Sequence, residues 1–301
     1  MASGSVTLDG TVAVVTGAGG GLGRAHALEL AARGALVVVN DAGVSVDGSL
    51  TGRSDAADAV VAEIRAAGGT AVADTHSVAT TEGAAGVVDA AVERFGRIDA
   101  LVNNAGFLRD ATFAKLTEDM VRSVLDVHLL GVFWTSREAW RHMVEQRHGR
   151  IICTTSVAGL CGNFGQANYA AAKAGIVGLV QTLAIEGARY GITVNAISPA
   201  ARTRMTEQIL GARAERLEPS LVSPLVAVLA SQECEATGEV FSVGAGRVAR
   251  VVIGEGPGYS ASSLRAEDLA DRWNDVMASA PMTRTPTVES VFDLMFAGAD
   301  G

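Results

Sequence analysis

Short β-branched runs alternate with longer stretches of helical spacing along most of the chain. Thr11–Thr16 is apolar and closes on glycine, and Leu36–Asn40 repeats the pattern. Runs of this length without polar alternation predict strands buried on both faces. Thr70–Ala73, Asp99–Asn103, Ile151–Thr155 and Ile192–Ile197 continue the series, and Gly238–Val243 is the last. Helical spacing fills the intervals. It covers Arg24–Arg33, a segment capped by Ser54 and stopped at Gly68-Gly69, and Thr80–Phe95 before Gly96. A long helix is predicted from Thr117 to about Gln146, another through Tyr169 and Lys173 to near Gly191, and one over Pro219–Ser231. This alternation predicts an α/β, doubly wound fold. Its seven strands form one parallel sheet with right-handed crossovers and helices on both faces.

Three segments depart from that rhythm. Ala42–Arg53 is rich in Gly, Ser and Asp and predicts a surface loop. Arg202–Glu218 carries Arg202, Arg204, Arg213 and Arg216 among apolar residues, the pattern of a lid-like helical segment. From about Gly244 the character changes. Arg265–Ala278 and Thr287–Phe296 predict amphipathic helices, with Leu269, Trp273, Val276 and Met277 on one face of the first. Two such helices do not fold alone. The expectation is a main domain over 1–247 and a helical extension over 248–301 that docks on the core or on a second subunit.

Composition narrows the partners. Of 301 residues, 49% are apolar, and the net charge is −9, which argues against nonspecific nucleic-acid binding. An anionic substrate would then need a local cluster of arginines. Cys153, Cys161 and Cys234 form no C-x-x-C pair, so neither a disulfide framework nor a metal site is expected. The N-terminus lacks a basic region followed by an apolar one, and no apolar run is long enough to span a bilayer. A cytoplasmic location is expected.

The candidate chemistry gathers at strand ends. T-G-A-G-G-G-L-G at Thr16–Gly23 links a strand to a helix, the context of a dinucleotide site. Gly17, Gly21 and Gly23 would let the backbone approach a pyrophosphate at the helix N-terminus. Asp41, eighteen residues after Gly23, could accept hydrogen bonds from a ribose diol and repel a 2′-phosphate, which favours NAD over NADP. Tyr169 and Lys173 are four apart and share a helix face. An ammonium there would lower the tyrosine pKa and make it a proton acceptor near neutral pH. Ser156 could hold a substrate oxygen. Thr16, Asp41, Asn104, Ser156 and Ser198 all fall at carboxyl ends of strands, where ligands bind in such sheets.

With these motifs in place, the chain resembles the short-chain dehydrogenase/reductase family over residues 10–247. T-G-x-x-x-G-x-G, N-N-A-G at Asn103–Gly106, Ser156 and Y-x-x-x-K carry the resemblance. V-V-V-N-D and G-N-F-G-Q-A-N-Y are similar to the dehydrogenase part of peroxisomal multifunctional enzyme type 2 and its bacterial relatives, and the A-E-D-L-A-D-R-W segment is similar in kind to the tail that follows the dehydrogenase core there. The resemblance implies a Rossmann fold and a homodimer or homotetramer. It implies phosphate contacts from Gly17, Gly21, Leu22 and Gly23, a ribose contact from Asp41 and adenine contacts from Ser77 and Val78. Asn104, Ala105 and Gly106 would lie along the cofactor, Pro199 would flank the nicotinamide, and Lys173 would touch its ribose. Ser156, Tyr169 and Lys173 would be catalytic, with Tyr169 the acid/base at the cofactor's edge. The implied activity is NAD-dependent oxidation of a (3R)-hydroxyacyl-CoA with a fatty or steroid side chain. Alternatives are a 17β-hydroxysteroid dehydrogenase, a 3-oxoacyl-thioester reductase, or a non-catalytic NAD-binding regulator. Four positions depart from the pattern. His128 stands for the family's Asn, His76 for the Asp beside adenine, Ala200 for the Gly after Pro199, and Arg204 for a Thr.

Overall fold

Every residue of β1, Val12–Thr16, is buried, as its unbroken apolar pattern requires. It pairs in parallel with β2, Leu36–Asn40, on one side and β4, Ala100–Asn103, on the other. Parallel pairing continues outward through β3, Thr70–Asp74, and through β5, Gly149–Thr154, β6, Ile192–Pro199, and β7, Val240–Gly244. The computed structural model describes residues 6–43, 55–202, 215–261, 263–285 and 287–297. The loop expected over 42–53 beyond Gly43, the expected Ser54 cap and most of the expected 202–218 lid, including Arg204 and Arg213, lie outside them. Two compact units emerge, Met1–Arg250 and Val251–Gly301.

The sheet has eight strands in the order β3-β2-β1-β4-β5-β6-β7-β8, one more than the pattern predicts. The extra strand, β8, is Arg247–Val251. Only Ala245 and Gly246 separate it from β7, at φ 51° and 77°. Two central residues at positive φ make the tight hairpin turn whose twist suits antiparallel strands. Strand order reverses at β1, which lies between β2 and β4. A crevice for a ligand opens at the carboxyl ends there.

Helices cover the sheet. Buried His26, Ala27, Leu30 and Ala31 line the inner face of α1, Gly21–Ala32. Helix α2 is Asp55–Ala66. Helix α3, Thr81–Phe95, starts where the Thr80 hydroxyl accepts from Gly83 N–H and stops at Gly96, φ 79°. The long helix expected from Thr117 is interrupted. Thr117 caps α4, Glu118–Leu125. A π-helical turn, Asp126–Leu130, follows, and α5, Gly131–Gln146, continues from it. The sequence D-V-H-L-L-G has no proline to mark the turn. After β5 come a short α6, Val157–Cys161, which the pattern did not predict, and α7, Ala167–Gly187. Pro219–Leu221 is a 3₁₀ turn before α8, Ser223–Ala230.

The second unit is built from small pieces. β9, Gly254–Glu255, pairs antiparallel with β10, Thr283–Arg284. The expected helix over 265–278 breaks at Arg272 into α9, Ala266–Asp271, and α10, Trp273–Val276. Helix α11 is Val288–Ala297. None of its described residues is buried, and Trp273 and Phe292 are 56% and 51% exposed.

Candidate active site

The glycine loop is tied down from three sides. Thr16 Oγ1 accepts the N–H groups of Asn104 and Ala105 at 3.0 and 3.1 Å. Asn104 Nδ2 donates to the carbonyls of Thr16 and Gly17 at 3.0 and 3.3 Å. The side chain of Asn104 therefore shapes the loop rather than standing free along the crevice. Asp41 Oδ2 accepts from Gly19 N–H at 2.8 Å, while Oδ1 accepts from Gly43 N–H at 2.9 Å. A nicotinamide dinucleotide fits these residues. Helix α1 has no side-chain cap and no acidic residue in its first turn, which leaves Gly21, Leu22 and Gly23 as N–H donors for a phosphate. A Cβ on Gly23 would come within 2.2 Å of the Gly17 carbonyl, so only glycine lets helix and loop approach this closely.

The carboxyl end of β3 holds a residue that the strand pattern missed. β3 extends to Asp74, whose buried carboxylate accepts from Asn40 Nδ2 at 2.6 Å. His76 Nδ1 lies 2.6 Å from the other oxygen, and Asn40 also donates to the His76 carbonyl at 2.9 Å. Asp74 thus fixes His76, and with it the start of the Ser77-Val78 turn. Asp74 is in register with Asn40, itself in register with Thr16.

Ser156, Tyr169 and Lys173 come together where β5 meets α7. Ser156 is the N-cap of α6, its Oγ accepting from Ala158 N–H at 3.2 Å. Lys173 is buried on the same helix face as Tyr169, with Nζ 5.7 Å from the ring centroid. Its ammonium donates to the Thr154 carbonyl at 2.6 Å. Burial lowers Lys173 to about 7. The expected lowering of the Tyr169 pKa is overturned. Burial raises the Tyr169 hydroxyl above its usual 10, a hydrogen bond with Ser156 partly offsets this, and the charge of Asp110 adds to the rise. Helix spacing shows that Lys173 is near, but it does not show how little water reaches the pair.

His128 completes the cluster. The π-helical turn carries it against Tyr169, edge to face with centroids 5.1 Å apart. Its Nε2 is within 2.7 Å of the Phe107 carbonyl and 3.0 Å of the Phe107 N–H. Burial holds it well below the usual imidazole pKa and the Lys173 charge adds to that, so the ring is neutral. A Cβ on Gly106 would lie 2.1 Å from His128 Cε1, which explains why N-N-A-G ends in glycine here. His128 Nδ1, Thr154 Oγ1 and Ser198 Oγ are buried without a partner among the described residues. Each belongs to this end of the sheet or to the cluster around Tyr169, as expected of a place that receives a polar ligand. Pro199 ends β6 beside Ser198. No group of His, Cys, Asp and Glu suited to a metal occurs among the described residues.

A Tyr–Lys pair with a serine at the mouth of a dinucleotide crevice defines an alcohol-oxidising or carbonyl-reducing site. The short chain dehydrogenase family profile matches residues 11–213. The chain belongs to that family and is an oxidoreductase acting on CH–OH groups. A short chain dehydrogenase from Mycobacterium avium superposes with a TM-score of 0.79 at 48% identity, covering 90% of this chain and 96% of that one. Mouse peroxisomal multifunctional enzyme type 2 is 46% identical over 286 residues, 93% of this chain but only 38% of the mouse enzyme. A hydroxyacyl-CoA dehydrogenase of Mycobacterium tuberculosis is 42% identical over 252 residues, 78% of each protein. Among the described residues, no helix is long and apolar enough to cross a membrane.

Proposed function

We propose that the protein oxidises the hydroxyl of a 3-hydroxyacyl-CoA to the 3-oxo compound with NAD. The Ser156–Tyr169–Lys173 cluster carries this reading, because a regulator that only binds NAD needs no acid/base. The bound nicotinamide would supply the hydride acceptor. Ser156 would orient the reacting oxygen, and Tyr169 would take its proton as the C–H bond gives up hydride. Lys173, held by Thr154, would fix the floor of the site and touch the nicotinamide ribose. Gly17, Gly21, Leu22 and Gly23 would hold phosphates. Asp41 would hold the adenosine ribose and select NAD, with Ser77 and Val78 near adenine and Asn104, Ala105, Gly106 and Pro199 bordering the cofactor.

An apolar substrate tail has a place to go. Phe164, between Ser156 and Tyr169, is 88% exposed. Phe113 is 82% exposed, two residues from Ala111, whose N–H donates to Gly165 at 2.9 Å. Large aromatics left bare beside an active site suit an acyl or steroid chain. The phosphates of CoA would need arginines. Arg202 is already paired with Glu218, which leaves Arg204, Arg213 and Arg216 as candidates. NADH absorbance with a panel of 3-hydroxyacyl-CoA esters and free 17β-hydroxysteroids tests the reading. Faster turnover of CoA esters, with a KM raised by Arg204→Ala or Arg213→Ala, is expected. Better turnover of the free steroid would replace it with the hydroxysteroid reading, and no turnover of either would favour the regulator.

A further inference from the structure

The segment from Phe107 to Met120 leaves the cluster around Tyr169 and returns to it. At its start, the Phe107 N–H lies 3.0 Å from Nε2 of His128, the ring that meets Tyr169 edge to face. One side chain then gathers the rest. Asn168 is buried directly before Tyr169 on α7, and its Nδ2 donates to the Arg109 carbonyl at 3.0 Å and to the Met120 carbonyl at 3.1 Å. Its Oδ1 accepts the Tyr169 N–H at 2.9 Å. A carboxamide has two N–H hydrogens and one oxygen, so these bonds occupy both donors and fix which way the group faces. Two carbonyls on one nitrogen bring the ends of the 110–119 stretch together, as in the neck of a compact loop. The oxygen serves the helix. Gln166, the N-cap of α7, makes no side-chain cap bond, and the Tyr169 N–H is one of those that a helix start leaves without a backbone partner.

The loop closed in this way carries Phe113, exposed at the start of the 3₁₀ turn Phe113–Lys115. Two residues earlier, the Ala111 N–H donates to the Gly165 carbonyl at 2.9 Å, next to exposed Phe164. Gln166 Nε2 adds a tie to Asp110 Oδ2 at 2.7 Å. Both bare aromatics thus stand on loops laced to the start of α7. We propose that Asn168 is a positioning residue for the apolar chain of the substrate: closing the neck with Nδ2 while holding the Tyr169 N–H on Oδ1, it sets Phe113 at a fixed place relative to the acid/base. A wall whose place is set beforehand gives its full contact to the chain, whereas a loop that the substrate must order draws on the binding energy. The inference rests on the 3-hydroxyacyl-CoA reading.

The test is KM and kcat, from NADH absorbance, for esters running from 3-hydroxybutyryl-CoA to 3-hydroxydecanoyl-CoA, with the shortest and longest that are turned over compared. Asn168→Asp is nearly isosteric. It keeps an acceptor for the Tyr169 N–H and turns the neck donor into an oxygen facing two carbonyls. KM for the long ester should then rise about tenfold relative to KM for the short one, the worth of roughly two buried methylenes. Phe113→Ala should raise the same ratio with the neck intact, and the double variant should add little to either change. An unchanged ratio in Asn168→Asp, equal rises for both esters, or additive effects of the two substitutions overturns the inference. If Asn168→Asp does not fold, Asn168→Ala decides by the same ratio. If neither folds, the residue serves the fold alone and the inference is overturned. Failure of the underlying reading looks different: the unmodified protein turns over none of the esters, and the inference falls with it.

Discussion

Lys173 lies 5.7 Å from the Tyr169 ring yet spends its hydrogen bond on the Thr154 carbonyl. The pair is therefore a buried lysine beside a half-buried tyrosine rather than a cation freely offered to a phenol. Burial presses both toward their neutral forms, raising Tyr169 and lowering Lys173 to about 7.

The first prediction concerns turnover. With Tyr169 protonated at neutral pH, oxidation should climb as pH rises toward and past the phenol range. Tyr169→Phe removes the hydroxyl alone, so kcat should fall by roughly 10²–10⁴-fold while dinucleotide binding persists. Stopped-flow turnover together with a binding titration checks both halves. A Phe variant with near-normal kcat would assign the proton transfer to another group.

The second concerns stability. Lys173 has a folded pKa of about 7 against 10.5 in an ordinary setting. Below 7 both states are protonated and the full cost of burying the charge is present. Between 7 and 10.5 the unfolded chain holds one more proton, so stability rises with pH. Against Lys173→Met, the unmodified protein should gain roughly 2 kcal/mol from pH 7.5 to 9.5. Urea denaturation at several pH values measures it, and parallel curves for the two proteins would contradict it.

Asp41 gives the third. Its two oxygens already accept from Gly19 and Gly43, which aims the carboxylate instead of leaving it to rotate. NAD should bind more tightly than NADP, and Asp41→Ala should narrow the gap. Fluorescence titration with both dinucleotides decides. Equal or tighter binding of NADP by the unmodified protein would remove the preference.

The tail supplies the fourth. Since no described residue of the second unit is buried, a peptide of residues 252–301 should be largely unfolded by far-UV circular dichroism. If the tail docks on the core or on a second subunit, a chain ending after Val251 should lose solubility or change its mass in solution. Such a cut leaves β8 whole, whereas one after Arg247 would remove most of that strand. Unchanged mass, stability and kinetics would argue against docking.

The parts that read clearly from the chain are those with a short-range signature. β1 and β2 announce themselves by unbroken apolar runs, and Thr16–Gly23 by its glycines between a strand and a helix. Tyr169 and Lys173 share a face because four residues make about one turn. What escaped depends on contacts distant in sequence. The direction of the Tyr169 shift is set by burial and by Asp110, 59 residues away. Asp74 is important because Asn40 lies beside it on the neighbouring strand. β8 does not declare itself because R-V-A-R-V spaces its arginines three apart instead of alternating, and Ala-Gly is a less familiar turn pair than Asn-Gly.

The π-helical turn at Asp126–Leu130 has a consequence beyond delivering His128. Each such turn adds a residue relative to an α-turn, so the helix after it is rotated by about 100° against the helix before it. Helices α4 and α5 can therefore aim different sides at their neighbours while remaining one rod. Val124 is buried from the first, and Val132, Ala139 and Met143 from the second. Deleting one residue here would restore an even helical winding, leave the composition almost untouched, and throw the two seams out of step. The rod would have to choose between seating its first half and seating its second. The placement of His128 and the packing of both seams are thus set by the same surplus residue.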